Sequence, residues 1–340
     1  MIFFMGKIGN SSIIFDNPVY IRERASVVGQ KEGEGPLGTL FDEVVEDPMA
    51  GKSNWEDAES ELQRRVVMHL LAKSGLTQNR IRYLFCGDLL GQLIATCFGI
   101  SEFQIPFFGL YGACSTMGEA MSLGAMCVSA GYADNVIAMT SSHFASAEKQ
   151  FRFPLDYGNQ RPLSATWTVT GSGGVILSSE KSGIQVEGIT TGKITDYGIS
   201  DSFNMGAAMA PAAAEVLYSN FMDNEIGPDY YDAIYTGDLG YVGQRILIDL
   251  MTEKGFDISQ VHHDCGIEIY DKDKQDTHAG GSGCGCSATT LCAHILKKFD
   301  DGEYQKVLFV PTGALLSPIS FNEGKTVPGI AHGIMIKSSK

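Results

Sequence analysis

The feature that most constrains this chain is that it is written twice. Residues 81–92 read IRYLFCGDLLGQ and residues 231–244 read YDAIYTGDLGYVGQ, each an apolar run ending in Gly-Asp-Leu. After the first copy come Gly112-Ala113-Cys114-Ser115 with a helix of small residues, then NVIAMTSSH at 135–143, then GSGGVILSS at 171–179. After the second come Gly281-Ser282-Gly283-Cys284 running into ATTLCAHILKKF, then KVLFVPTGALLSP at 306–318, then AHGIMIKSS from 331. The same order at similar spacing implies duplication, with halves at 1–180 and 181–340.

Between the short apolar runs lie helical patterns. Ser53-Asn54 reads as a cap; Trp55, Ala58, Leu62, Val66 and Leu70 share one face, and Gly75 ends the helix. Buried strands alternating with helices predict parallel or mixed sheets covered by helices. Two such halves are expected to stack into a five-layer α/β/α/β/α sandwich, with the Ala-rich and Gly-rich helices in the middle.

Composition excludes several functions. With 44% apolar and 19% charged residues and 40 glycines, the chain is a folded one with many tight turns. A formal charge of −15 leaves no excess of Lys and Arg for a phosphate backbone, so nucleic acid is not an expected partner, and an anionic ligand must be held by a few local donors. In the opening MIFFMGKIGNSSIIF, Gly6, Lys7, Gly9 and Asn10 interrupt the apolar clusters; no signal peptide or spanning segment can be drawn, and a soluble protein made in the cytoplasm is expected. Eight cysteines in a chain this long read as reduced thiols rather than a disulfide framework. No CxxC or HExxH occurs and His262 and His263 are adjacent, so no metal site is expected.

The run IPFFGLYGA reads as a strand leading straight into Cys114-Ser115-Thr116, followed by GEAMSLGAMCVSAG, a helix with Ala120, Leu123, Gly124 and Cys127 expected to face inward. Cys114 is thereby placed at a helix N-terminus, where unpaired N–H groups and the helix dipole favour a thiolate or a bound carboxylate. A small residue buried at a crowded elbow is the other reading. His143 is a candidate base or a hydrogen-bonded structural histidine. Glu148, Lys149, Gln150 and Arg152 form a charged loop ahead of Pro154, in which Lys149 and Arg152 are either ligand cations or part of a solvated face.

GACST at 112–116, Arg161-Pro162, GSGGVIL at 171–177 and the repeated halves resemble the thiolase and ketoacyl synthase superfamily over nearly the whole chain. More narrowly, KEGEGPLG at 31–38, the two Gly-Asp-Leu motifs, TSSH at 140–143, EKQFRFP at 148–154, MGAAMAPAAA at 205–214, AGGSGCGCSA at 279–288 and TGALLSP at 312–318 resemble the stage V sporulation protein AD family. In the superfamily's enzymes a nucleophilic Cys works with two groups from the second half, usually His with His, Asn or Cys. Cys114 matches the nucleophile. The loop expected to carry the first His reads Gly237-Asp238-Leu239-Gly240, and an Asp there raises a thiol's pKa. The second loop resembles 280–284, offering Cys284 and backbone donors but no imidazole.

The family resemblance therefore implies a protein that is not a working enzyme and that binds pyridine-2,6-dicarboxylic acid (dipicolinic acid) during spore formation. The acid would be free or bound as its calcium chelate, and no resident cofactor is implied. Cys114, Ser115, His143, Lys149, Arg152 and Cys284 are the candidate ligand residues; Asp88 and Asp238 are either calcium-facing carboxylates or strand-end turn residues. The resemblance also implies a homodimer and peripheral attachment to small integral membrane proteins at the forespore or spore inner membrane. The acidic balance disfavours direct binding to anionic lipid. The rival readings are an acyltransferase using Cys114 on an acyl thioester, and an assembly subunit without a ligand.

Overall fold

The computed structural model describes residues 6–151 and 160–339. Ten strands carry the sheet layers. In the first half they are β1 (Ser12–Gly29), β2 (Tyr83–Gly87), β3 (Phe107–Gly109), β4 (Asn135–Ser142) and β5 (Gly171–Ser178). In the second half they are β6 (Ile184–Thr191), β7 (Ala233–Thr236), β8 (His262–Asp264), β9 (Lys306–Val310) and β10 (Gly329–Ser338). The first half runs β3-β2-β4-β5-β1 and the second β8-β7-β9-β10-β6. Directions repeat as well: β2 is parallel to β3 and β4, and β7 is parallel to β8 and β9. The last two strands of each half are antiparallel. One topology made twice is what the repeated Gly-Asp-Leu pattern predicts. The two copies join where β1 pairs antiparallel with β6, with Ser12 Oγ 2.9 Å from Thr190 Oγ1.

Helix α1 (Trp55–Ser74) covers the outer face of the first sheet. Asn54 Oδ1 accepts from Asp57 N at 2.8 Å, Gly75 closes the helix at φ 68°, and Ala58, Leu62, Val66 and Leu70 are buried, as the pattern predicts. Helices α4 (Met205–Asn224) and α5 (Gly240–Glu253) cover the second sheet. Between the sheets lie α2 (Thr116–Ser129) and α6 (Cys284–Thr290), the latter continuing through a π turn at Leu291–Ile295. These make the five layers of the thiolase-like sandwich. The middle layer fits because β5 lets α6 approach closely: a Cβ on Gly173 would lie 2.4 Å from the Ala288 carbonyl carbon.

Two expectations need correction. Of IPFFGLYGA only Phe107–Gly109 is strand, because that segment is an edge with exposed side chains. On α2, Ala120 and Gly124 are buried but Leu123 is 42% exposed. The inward arc is set by Met117, Ala120, Met121, Gly124, Ala125 and Val128, and Leu123 falls on the other side with exposed Met126.

Candidate functional site

The site is assembled from two helix starts, one from each half. After β3 the chain turns at Gly112, Ala113 takes φ 51°, and a 3-10 turn at Ala113–Ser115 delivers Cys114 to the beginning of α2. In the second half Gly283 takes φ 98° and Cys284 opens α6. The two thiols share a small buried cluster with Leu89 and Ala147, and Cys284 Sγ donates to Ala113 O at 3.0 Å.

Over this floor lies a pocket of about 610 Å³. Leu89, Tyr111, Phe151, Met205, Leu316 and Phe321 form much of its wall. Neutral polar groups of Gln150, Thr168, Ser202, Ser282 and Asn322 also face it, and no described lining residue is charged. Thr168 and Ser282 stand opposite each other because Trp167–Thr168 and Gly281–Ser282 form a short parallel ladder.

Beneath Cys114 sits Asp238, 1% exposed. Its Oδ1 accepts from Thr312 Oγ1 at 2.8 Å and its Oδ2 from Gly283 N at 3.0 Å, and its charge bears on the Cys114 thiol. Burial pushes the acid up to about 7 and nearby Asp264 adds to this, while Cys114 and the Gly283 and Thr312 donors pull it back. The Cys114 thiol is pushed well above its ordinary value by burial, then by Asp238 and Cys284. Cys284 is raised by burial too. The arrangement therefore holds a protonated thiol over an acid. It lacks the imidazole that would draw the proton away, so the polarity opposes nucleophilic activation.

The remaining candidates are placed elsewhere. Ser115 is buried and donates to Gly112 O at 2.7 Å, holding the turn. His143 is 3% exposed; Nε2 donates to Pro48 O at 2.9 Å, Nδ1 accepts from Ala145 N at 3.1 Å, and Trp55 packs on the ring. Both ring nitrogens are thus used within the fold, off the pocket wall, and burial lowers the ring's pKa against the opposing pull of the Pro48 carbonyl and Glu56. Lys149 lies on a short helix, α3 (Phe144–Phe151), and pairs with Glu56 at 2.6 Å on the surface. Arg152 falls outside the described residues. Asp88 closes its own connection, accepting from Leu90 N at 2.7 Å and from Thr96 N and Oγ1 at 2.8 and 2.6 Å. It is a turn residue that does not line the pocket.

Sequence reasoning missed Thr168, Ser282 and Thr312. Thr312 lies within the quoted TGALLSP, but only the fold shows that β9 ends beside Asp238.

A family model described as Stage V sporulation protein AD matches residues 9–337. The chain is 42% identical over 329 residues to stage V sporulation protein AD of Bacillus subtilis (strain 168), covering 97% of each. The chain belongs to the stage V sporulation protein AD family. In structure, this family member is similar to 3-oxoacyl-[acyl-carrier-protein] synthase III from Aquifex aeolicus VF5, with TM-score 0.58 at 10% identity over 94% of this chain and 99% of that one. It is also similar to Acat5 thiolase from Ascaris suum, a complex with coenzyme A, with TM-score 0.59 at 12% identity over 94% and 100%. At such identities the likeness establishes the fold alone. The surroundings of Asp238 are therefore read from this stage V sporulation protein AD family member's own burial and hydrogen bonds.

Proposed function

We propose that this protein captures dipicolinic acid, free or as its calcium chelate, without turnover, for loading into the forespore. The observation that carries the reading is the pocket itself: about 610 Å³ under largely apolar walls, floored by the buried Cys114 and Cys284 at two helix starts. Apolar walls suit the pyridine ring, and Thr168, Ser282 and Asn322 supply neutral donors for carboxylates. Cys114 lines the pocket and does not attack. Calcium, when present, enters with the acid, since Asp88 and Asp238 are engaged by their own turns and neighbours.

Loading also needs a membrane, and among the described residues no helix is long and apolar enough to cross one. The reading therefore includes peripheral docking to small integral membrane proteins at the forespore or spore inner membrane. It includes a homodimer as well, supported by the open edge of β3 and the exposed Phe98, Phe108 and Tyr111 near it.

Calorimetric titration with dipicolinic acid, with and without calcium, beside an acyl-CoA and a Cys114→Ala variant, tests this. Saturable binding of the acid, weakened in Cys114→Ala and without acyl transfer, is the expected result. Covalent labelling of Cys114 by the acyl-CoA, with no binding of the acid, would make the protein an acyltransferase.

A further inference from the structure

We propose that Asp238 sets the charge the pocket accepts, holding a proton whenever an anionic ligand lies over Cys114. The proposal deepens the capture reading and rests on it only for the identity of the ligand.

Among the described residues no cation compensates Asp238. Its two oxygens accept from a hydroxyl and a backbone N–H, both neutral. The titratable groups that bear on it are Asp264 at the end of β8, Cys114 at the start of α2, and Cys265 and Cys286 on the second-half side. Asp264 is itself buried, held by Thr236 Oγ1 at 2.6 Å and by Leu239 N and Gly240 N at 2.9 and 3.0 Å. None of these groups is a cation, and neither is any described lining residue. A carboxylate ligand seated against Cys114 and Ser282 thus has only the Gly283 backbone, whose N–H bonds Asp238, between it and that acid. Two like charges at that range in a buried site do not both persist, and the cheaper course is to protonate the protein's acid. With its own value already raised to about 7, Asp238 is poised to take that proton near neutrality. In its ionised form it excludes anions, and in its protonated form it admits them.

Two measurements on the whole protein test this. The first compares alkylation of Cys114 by iodoacetate and by iodoacetamide, read by peptide mass spectrometry from pH 6 to 9. In each reaction the sulfur forms a bond to carbon and iodide leaves, so the thiolate fraction cancels in the ratio of rates. The ratio of the anionic to the neutral reagent should fall by up to about tenfold per pH unit above 7 in the wild type. In Asp238→Asn, whose amide keeps an oxygen acceptor, it should stay nearly level. The second measures proton uptake on binding dipicolinic acid, by calorimetry at pH 8 in buffers of different ionisation enthalpy. Uptake approaching one proton per ligand is expected, lost in Asp238→Asn. A level alkylation ratio in the wild type, or binding of the acid with no proton uptake, overturns the proposal. Failure of the acid to bind while the alkylation ratio behaves as expected would sink the ligand assignment and leave Asp238's role standing.

Discussion

The two Gly-Asp-Leu copies begin alike and end in different work. Asp88 follows β2 and spends its carboxylate on its own connection, on Leu90 and Thr96 a few residues ahead. Asp238 follows β7 and spends its carboxylate on distant partners, Thr312 after β9 and Gly283 before α6, while its charge bears on Cys114 from the other half. Behind Asp88, hydrogen bonds run through Thr96, Gln63 and Ser141 to Glu59, all in the interior of the first half. Behind Asp238 lies Asp264, and in front of it the pocket. Duplication supplied two acids at equivalent strand ends; one became a clamp and the other a floor.

Removing each acid should break this contrast most visibly. Asp88→Ala leaves two buried backbone N–H groups and the Thr96 hydroxyl without their acceptor, and should cost about 4 kcal/mol of folding stability in urea denaturation. Ligand affinity per folded molecule should stay unchanged. A cost below about 1 kcal/mol would mean that Asp88 is not the clamp described.

The second test uses pH. Asp238 is raised from an ordinary carboxylate value to about 7, so the folded state keeps a proton that the unfolded chain has released. That contribution is fully present below the unfolded value, near pH 4, and is lost as pH rises through about 7. Between pH 5 and 8 the stability of the wild type relative to Asp238→Asn should therefore fall by about 3 kcal/mol. Histidines and other groups cancel in that difference. Glu59, pushed up to about 8 by burial and by Asp88, acts in the same direction and should survive in the Asp238→Asn variant as a fall at higher pH.

How much of this was legible in the sequence follows from the range of the interactions. The repeat, the α1 cap and stripe, and the elbow at Cys114 are local patterns, and each was readable from neighbouring residues. His143 and Leu123 were not: whether a histidine faces a pocket or Pro48, and which side of α2 is inward, depends on what the neighbouring layers bring up. Asp238 was read as unfavourable to a thiolate from its place after β7. Its partners, Thr312 and Gly283, lie 74 and 45 residues away and could not be paired without the fold.

The elbows extend the comparison at a smaller scale. Gly283 at φ 98° precedes Cys284, and a Cβ there would meet Ser142 Oγ at 2.6 Å. Gly283→Ala should therefore cost about 2 kcal/mol, through both strain and contact, and should weaken ligand binding by displacing the N–H that holds Asp238. Denaturation and titration of the same sample read the two effects separately.

Ala113 holds the equivalent place before Cys114, also left-handed at φ 51° but with a side chain. An L-residue there costs about 1 kcal/mol, and glycine would remove that cost while adding freedom to the unfolded chain. Ala113→Gly should consequently change stability by no more than about 0.5 kcal/mol, with the opposite substitution at Gly283 several times larger. The carbonyl that accepts from Cys284 is retained, so any loss of ligand affinity would come from the missing methyl on the pocket wall. If Ala113→Gly instead proved as costly as Gly283→Ala, the first elbow would be held by packing of that methyl rather than by backbone geometry, and the two elbows would be equivalent in position only.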